Sequence, residues 1–234
     1  TVEGRGACDM KAGLVASLWV ARGLTELKVP LGGDLVLATV VGEEDGGLGT
    51  YALLKRGWHA NACVIPEPTS LDIAPANAGA LTFRITVPGA ATHASRRLSG
   101  VSAIEKFIPI FSALRRLEKE RNAIKHTLAT RWELPIPIEI GKITAGEWAS
   151  SVPDRLTATS RMGVAISEDV ATARHALEET VSNACQDDSW LRDHPATVEW
   201  WGGQFASGVT DLDSSIISTV RRCHADVSRA PQKM

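Results

Sequence analysis

The chain has 234 residues, of which 44% are hydrophobic and 22% charged, and it carries a formal net charge of −2. That length accommodates one large domain or two modest ones, with ample residues for a buried core. The composition excludes disorder as the dominant state, and the balanced charge excludes a bulk basic field aimed at nucleic acid or acidic membranes.

In chain order, residues 11–28 are predicted helical, because Leu14, Val15, Leu18, Ala21, Leu24 and Leu27 recur at the spacing of one helical face. Pro30 and Gly32-Gly33 end that helix. DLVLATVV, beginning at Asp34, hardly alternates, which predicts a strand buried on both faces, as in a parallel sheet covered by helices. Its stretch Leu35–Val41 is the longest clean apolar run, and it falls far short of the ~20 residues of a membrane helix. A second helix is expected near 48–57 and a second buried strand, ACVIP, at 62–66, giving a parallel α/β layer.

The pattern changes near residue 79. LTFRITV alternates with period two and predicts a strand with one wet face. A long amphipathic helix over 100–122 follows, then strands at 136–144 and 155–165. Residues 167–189 are predicted helical, with Ser167 as N-cap and Glu168 and Asp169 in the first turn. A strand at 196–203 completes a β-α-β-β-α-β order, the ferredoxin-like split motif. Residues 211–226 return to helix. The expected organisation is α/β for 1–78, an inserted α+β unit over 79–204, and a return to the α/β domain over 205–234.

Cys8, Cys63, Cys185 and Cys223 form no CxxC pair, so they are read as reduced, mostly buried thiols of a cytoplasmic protein. The start TVEGRGACDMK has no apolar stretch behind a basic one and is not read as a signal peptide.

Chemistry concentrates in three acidic clusters. Asp9 lies between a Gly-rich turn and a helix in GRGACDMKAG; Glu43, Glu44 and Asp45 follow a predicted strand in VVGEEDGG; Glu67 follows another in VIPEPT. They are spaced by about one β-α unit each, and ligands of open α/β sheets bind beyond the carboxyl ends of the strands. Carboxylates gathered at one rim repel each other unless a cation sits among them. Oxygen donors suit Zn, Mn, Mg or Co, with added nitrogen ligands deciding the choice. A Mg-dependent phosphoryl-transfer site would also need phosphate-gripping residues; Lys11 and Arg5 are at hand, but no P-loop pattern is present.

GRGACDMKAG, VVGEEDGGLG and IPEPT, in this order, resemble the M20 family of metal-dependent amidohydrolases and peptidases. VPGAATHAS resembles the family's G-x-x-x-H segment, and GEWASSVPDRLTATSRMG its later strand pair, closest in wording to the acetylornithine-deacetylase-like branch. The combination is far more specific than any one motif. The resemblance implies two divalent metal ions, zinc first, with cobalt or manganese as alternatives. Asp9 would bridge them, Glu44 would bind one and Glu67 the other, and Glu43 would be the general base toward a metal-bridging water. It implies further that His93 reaches a partner subunit's site and helps hold the oxyanion, so that the enzyme is a homodimer joined by the inserted domain. Arg161 would bind the substrate carboxylate, as a guanidinium fork suits that group. Its position departs from the family pattern by about two residues, which preserves the strand face. Ser150 and Ser151 stand where the family commonly has Asn. His59, His126, His175, His194 and His224 carry no motif.

The family site also uses an upstream H-x-D histidine and a histidine near the carboxyl terminus, and neither is present in the 234 residues. The expected function is hydrolysis of the amide of an N-acyl amino acid or related carboxylate, with no nucleic-acid or membrane partner. The chain is expected to be an internal segment of the enzyme and inactive alone. The alternative is a catalytically incomplete protein acting through dimerisation of the inserted domain.

Overall fold

A computed structural model describes residues 3–44 and 46–227. The chain forms two compact units: Ala76–Val209, and the chain on either side of it. Its elements in order are α1 (Lys11–Glu26), α2 (Leu48–Lys55), β1 (Ala76–Asn77), β2 (Gly79–Pro88), α3 (Ala103–Ala123), β3 (Ile138–Ala145), β4 (Arg155–Val164), α4 (Val170–Gln186), α5 (Ser189–Asp193), β5 (Thr197–Phe205), β6 (Gly208–Val209) and α6 (Ser215–Val227). The structure is a mixed α/β arrangement with two antiparallel sheets, β1-β6 and β3-β4-β2-β5.

Ala76–Val209 holds most of the core. The alternation read in LTFRITV turns Leu81, Phe83, Ile85 and Val87 inward, all fully buried. On α3, Phe107, Ile110, Leu114 and Leu117 recur at helical spacing and face the same core, as do Ala173, Leu177 and Val181 on α4. Each such apolar side chain contributes about 1.5–3 kcal/mol when fully buried. Two polar residues of α3 are also buried, and both are satisfied. The Ile138 amide donates to Glu118 Oε2 at 2.6 Å. Asn122 donates to the carbonyls of Glu118 and Ile136 and accepts from the Ile136 amide at 3.0 Å. These bonds fix the entry of β3 against α3. The short β1-β6 pair, Ala76 with Val209 and Asn77 with Gly208, joins the two points where the chain enters and leaves this unit.

The first turn of α4 differs from expectation. Its N-cap is Asp169, whose carboxylate accepts from the Thr172 amide at 3.1 Å. Ser167 has φ +66° and lies outside the helix. Glu168 turns instead to Arg121, accepting from both guanidinium nitrogens at 2.7 Å. An arginine reaching across from α3 outweighs a local cap for that carboxylate.

The other unit departs further. No parallel ladder forms among the described residues: 34–41 and 62–66 are irregular and belong to no strand. The predicted burial is absent too, with Val41 80% and Ile65 68% exposed. Apolar composition shows that a segment suits burial, whereas a parallel strand also needs hydrogen-bonded neighbours and covering helices. Likewise α1 forms where its periodicity predicted, yet none of its residues is buried. Three of the four cysteines, Cys8, Cys63 and Cys223, are exposed and only Cys185 is buried, correcting the expectation of mostly buried thiols. The first two lie in loops of the sparsely packed unit and the third on α6, where Ile217 is the buried residue. No described helix is long and apolar enough to cross a membrane.

Candidate active site

Asp9, Glu43, Glu44 and Glu67 all lie in the sequence before Pro75, within one unit. Asp9 is in the turn preceding α1, and Glu67 follows the irregular 62–66 segment. These two loops meet because Gly13, in the first turn of α1, packs directly on Pro66. A Cβ at Gly13 would stand 2.2 Å from the Pro66 carbonyl oxygen, so any larger residue would force the loops apart. The Glu43-Glu44 turn is positioned by a second close approach. The Gly49 amide of α2 donates to the Val41 carbonyl at 2.9 Å, and a Cβ at Gly49 would meet that oxygen at 2.5 Å. The Gly47 amide donates to the Gly42 carbonyl at 2.8 Å and closes the turn. Asp45, third acid of this cluster, lies outside the described residues.

Acids of the other two loops act on Glu67. The Glu67 carboxyl is held above the ordinary carboxylate range, first by burial, then by the charge of Asp9, followed by Glu43, a hydrogen bond with Asp9, and Glu44. Like charges gathered around one carboxyl favour its protonated form. A divalent cation answers the same demand by replacing the proton, and carboxylate oxygens are suitable donors for Zn, Mn or Mg. The donor chemistry therefore fits a cation. The described residues do not close around one: no group of three or more His, Cys, Asp and Glu side chains is disposed to hold a metal ion.

His93 and Arg161 belong to the other unit. His93 precedes a 3-10 turn at Ala94–Ser99, and its backbone bridges to Ser151. The Ala94 amide donates to the Ser150 carbonyl at 2.9 Å and the Val152 amide to the Thr92 carbonyl at 2.8 Å. The two segments resembling family motifs in this unit, THAS and GEWASSVPD, thus lie side by side. The imidazole packs obliquely on Trp148, ring centres 5.7 Å apart, and its Nδ1 lies 2.8 Å from Ser95 Oγ. Neither Ser95 nor Trp148 was singled out from the sequence. A serine two residues after a histidine is a local hydrogen-bonding pattern that could have flagged the first; nothing flagged the second.

Arg161 is an exposed position of β4 between the buried Ser160 and Met162, so its side chain stands on the sheet face away from the core. Its register partners are Thr82 and Glu139. Glu139 does not engage it, accepting instead from the Ile140 amide. Among the described residues Arg161 has no ion pair.

The family model of peptidase family M20/M25/M40 matches residues 1–234. An N-formyl-4-amino-5-aminomethyl-2-methylpyrimidine deformylase of Bacillus subtilis is 30% identical over 215 residues, covering 85% of this chain and 49% of that protein. A succinyl-diaminopimelate desuccinylase of Gluconacetobacter diazotrophicus is 29% identical over 167 residues, covering 66% of this chain and 41% of that protein. Among solved structures, a tripeptidase from Staphylococcus aureus shares the fold with a TM-score of 0.65 at 20% identity, over 95% of this chain and 55% of its own. The chain spans about half the length of the curated relatives it matches.

Proposed function

The chain belongs to peptidase family M20/M25/M40, and on that basis we propose that it contributes the carboxylate half of a metal-dependent amidohydrolase site. The observation that carries this reading is the convergence of Asp9, Glu43 and Glu44 on Glu67, delivered by three separate loops. Asp9, Glu44 and Glu67 would hold two divalent ions, zinc first. When bound, such ions polarise a scissile carbonyl and make water acidic. Glu43 is the general base: it takes a proton from the attacking water and delivers it to the leaving nitrogen. A carboxylate adjacent to the ligands is close enough for that transfer, while neighbouring side chains point in different directions. Arg161, which has no ion pair among the described residues, would pair with a substrate carboxylate. His93 would reach a partner subunit's site and donate a hydrogen bond to the carbonyl oxygen there as negative charge develops.

The substrate class is an amide whose acid or amine part carries a carboxylate, an N-acyl amino acid or small peptide. The name of the desuccinylase relative supports a carboxylate-bearing substrate, whereas the substrate named for the deformylase relative is an amide without a carboxylate. We further propose, from its strand–helix order and sheet order, that 79–204 is an inserted ferredoxin-like unit, and, from the family resemblance, that it pairs with a second copy. No histidine is among the groups acting on Glu67 in the described residues, so the 234 residues alone are expected to bind zinc weakly and to be inactive.

The test uses an enzyme of the relatives' full length that includes this segment. Glu43→Ala should reduce amide hydrolysis by at least about 10²-fold with metal content retained, in line with loss of a general base. Glu44→Ala should lose metal as well. An active Glu43→Ala enzyme overturns the base assignment.

A further inference from the structure

The surroundings of His93 determine which of its nitrogens carries the proton. The Ser95 backbone amide donates to His93 Nδ1 at 3.2 Å. A backbone N–H can only donate, so Nδ1 must be the unprotonated, accepting nitrogen. The Ser95 hydroxyl lies 2.8 Å from the same nitrogen, and with Nδ1 as acceptor it too must donate. In a neutral imidazole the proton then resides on Nε2, because the hydrogen bond at one nitrogen sets the state of the other. Nε2 has no hydrogen-bond partner among the described residues. Trp148 lies obliquely against the exposed ring, and the His93–Ser151 bridge holds the backbone that carries it.

We propose that Ser95 is a positioning residue that fixes His93 as an Nε2–H donor through its amide and its hydroxyl together. The chemical consequence is directional. A neutral His93 in this state offers a proton to an acceptor oxygen, such as a polarised carbonyl, and presents no lone pair to a leaving group or a water. It serves as an electrophilic partner and not as a base. The catalytic consequence rests on the role proposed above for His93; the protonation pattern does not.

The experiment is nitrogen NMR on the 234-residue chain labelled with ¹⁵N-histidine, at about pH 8, above the ordinary imidazole range. His93→Gln identifies the His93 resonances among those of the six histidines. In the unaltered chain, Nδ1 should sit at the unprotonated extreme and Nε2 at the protonated extreme. Ser95→Ala, which keeps the amide and removes the hydroxyl, should move the two shifts toward each other, and Ser95→Thr should restore their separation. The resonances of the other five histidines report that the variants are folded. Averaged His93 shifts in the unaltered chain, or a protonated Nδ1, would overturn the proposal. Shifts unchanged by Ser95→Ala would overturn the part played by the hydroxyl. A fixed Nε2–H state, combined with undiminished kcat for His93→Gln in the full-length enzyme, would support the Ser95 assignment and overturn the catalytic role of His93.

Discussion

The ion pair between α3 and the turn before α4 allows a stability prediction worked from geometry. The Arg121 side chain is 10% exposed and that of Glu168 17%. Both Glu168 oxygens accept from the guanidinium at 2.7 Å, and Oε2 also accepts from the Ala165 amide at 2.7 Å. Glu168→Ala would leave a largely desolvated guanidinium with only the Gly163 carbonyl at 3.1 Å, and would orphan the Ala165 amide. Removing one member of a buried pair costs about 3–5 kcal/mol, because the remaining charge is uncompensated. Arg121→Met with Glu168→Leu removes both charges, which is often nearly neutral for such a pair. The unpaired Ala165 amide adds roughly 1–3 kcal/mol, still leaving the double variant more stable than Glu168→Ala. Urea unfolding followed by tryptophan fluorescence measures Glu168→Ala, the double variant and its two single changes, Arg121→Met and Glu168→Leu. With a slope of about 2 kcal/mol/M, the Glu168→Ala midpoint should fall by roughly 2 M. A Glu168→Ala loss below about 1 kcal/mol, or strict additivity of the two single changes, would refute the reasoning.

Three further outcomes are expected. Asp188 is raised by its burial, but the hydrogen bond from Lys106, the Leu191 amide, the Lys106 charge and the Trp190 amide outweigh this and leave it below the ordinary carboxylate range. A carboxylate lowered on folding adds stability above its unfolded value of about 3.9 and loses it as pH falls through its folded value. Lys106→Met should therefore cost about 1–2 kcal/mol near neutral pH, and the gap from the unaltered chain should narrow below about pH 4; urea midpoints across that range would show a constant gap if the pair were unimportant. Hydrogen exchange should find α3, β2 and β4 strongly protected and α1 close to unprotected, since α1 buries no residue; equal protection would mean that burial does not set the order of opening. Arg161→Lys in the full-length enzyme should raise KM about tenfold for a carboxylate-bearing substrate, because a lysine cannot make the two-pronged contact; an unchanged KM would remove Arg161 from substrate binding.

What the sequence disclosed and what it withheld separate along physical lines. In Ala76–Val209 each segment meets its burial partner within the same unit. The period-two pattern of LTFRITV and the helical spacing of Phe107, Ile110 and Leu114 therefore translate directly into buried faces. In the other unit the same kind of signal misled. Leu35–Val41 and the apolar side of α1 are as hydrophobic as a buried layer requires, yet periodicity says nothing of the surface that would receive them, and the described residues supply none. Ser167 failed as a cap for a related reason: the competition between Asp169 and a serine, and the recruitment of Glu168 by Arg121, depend on α3, a helix some forty residues away.

The candidate site divides in the same way. The three acidic clusters were visible because each follows a Gly- or Pro-marked turn, and their convergence depends on two close approaches, Gly13 on Pro66 and Gly49 on Val41. Those approaches are geometric facts that no one-dimensional pattern contains. Gly13→Ala consequently disturbs the site without touching a carboxylate. A methyl group 2.2 Å from the Pro66 carbonyl must displace either α1 or the loop bearing Glu67. Either movement separates Asp9 from Glu67 and lowers the repulsion that, after burial, holds the Glu67 carboxyl above its ordinary range. The chemistry of the site is thus written in its acids, and its assembly in two glycines that carry no chemistry of their own.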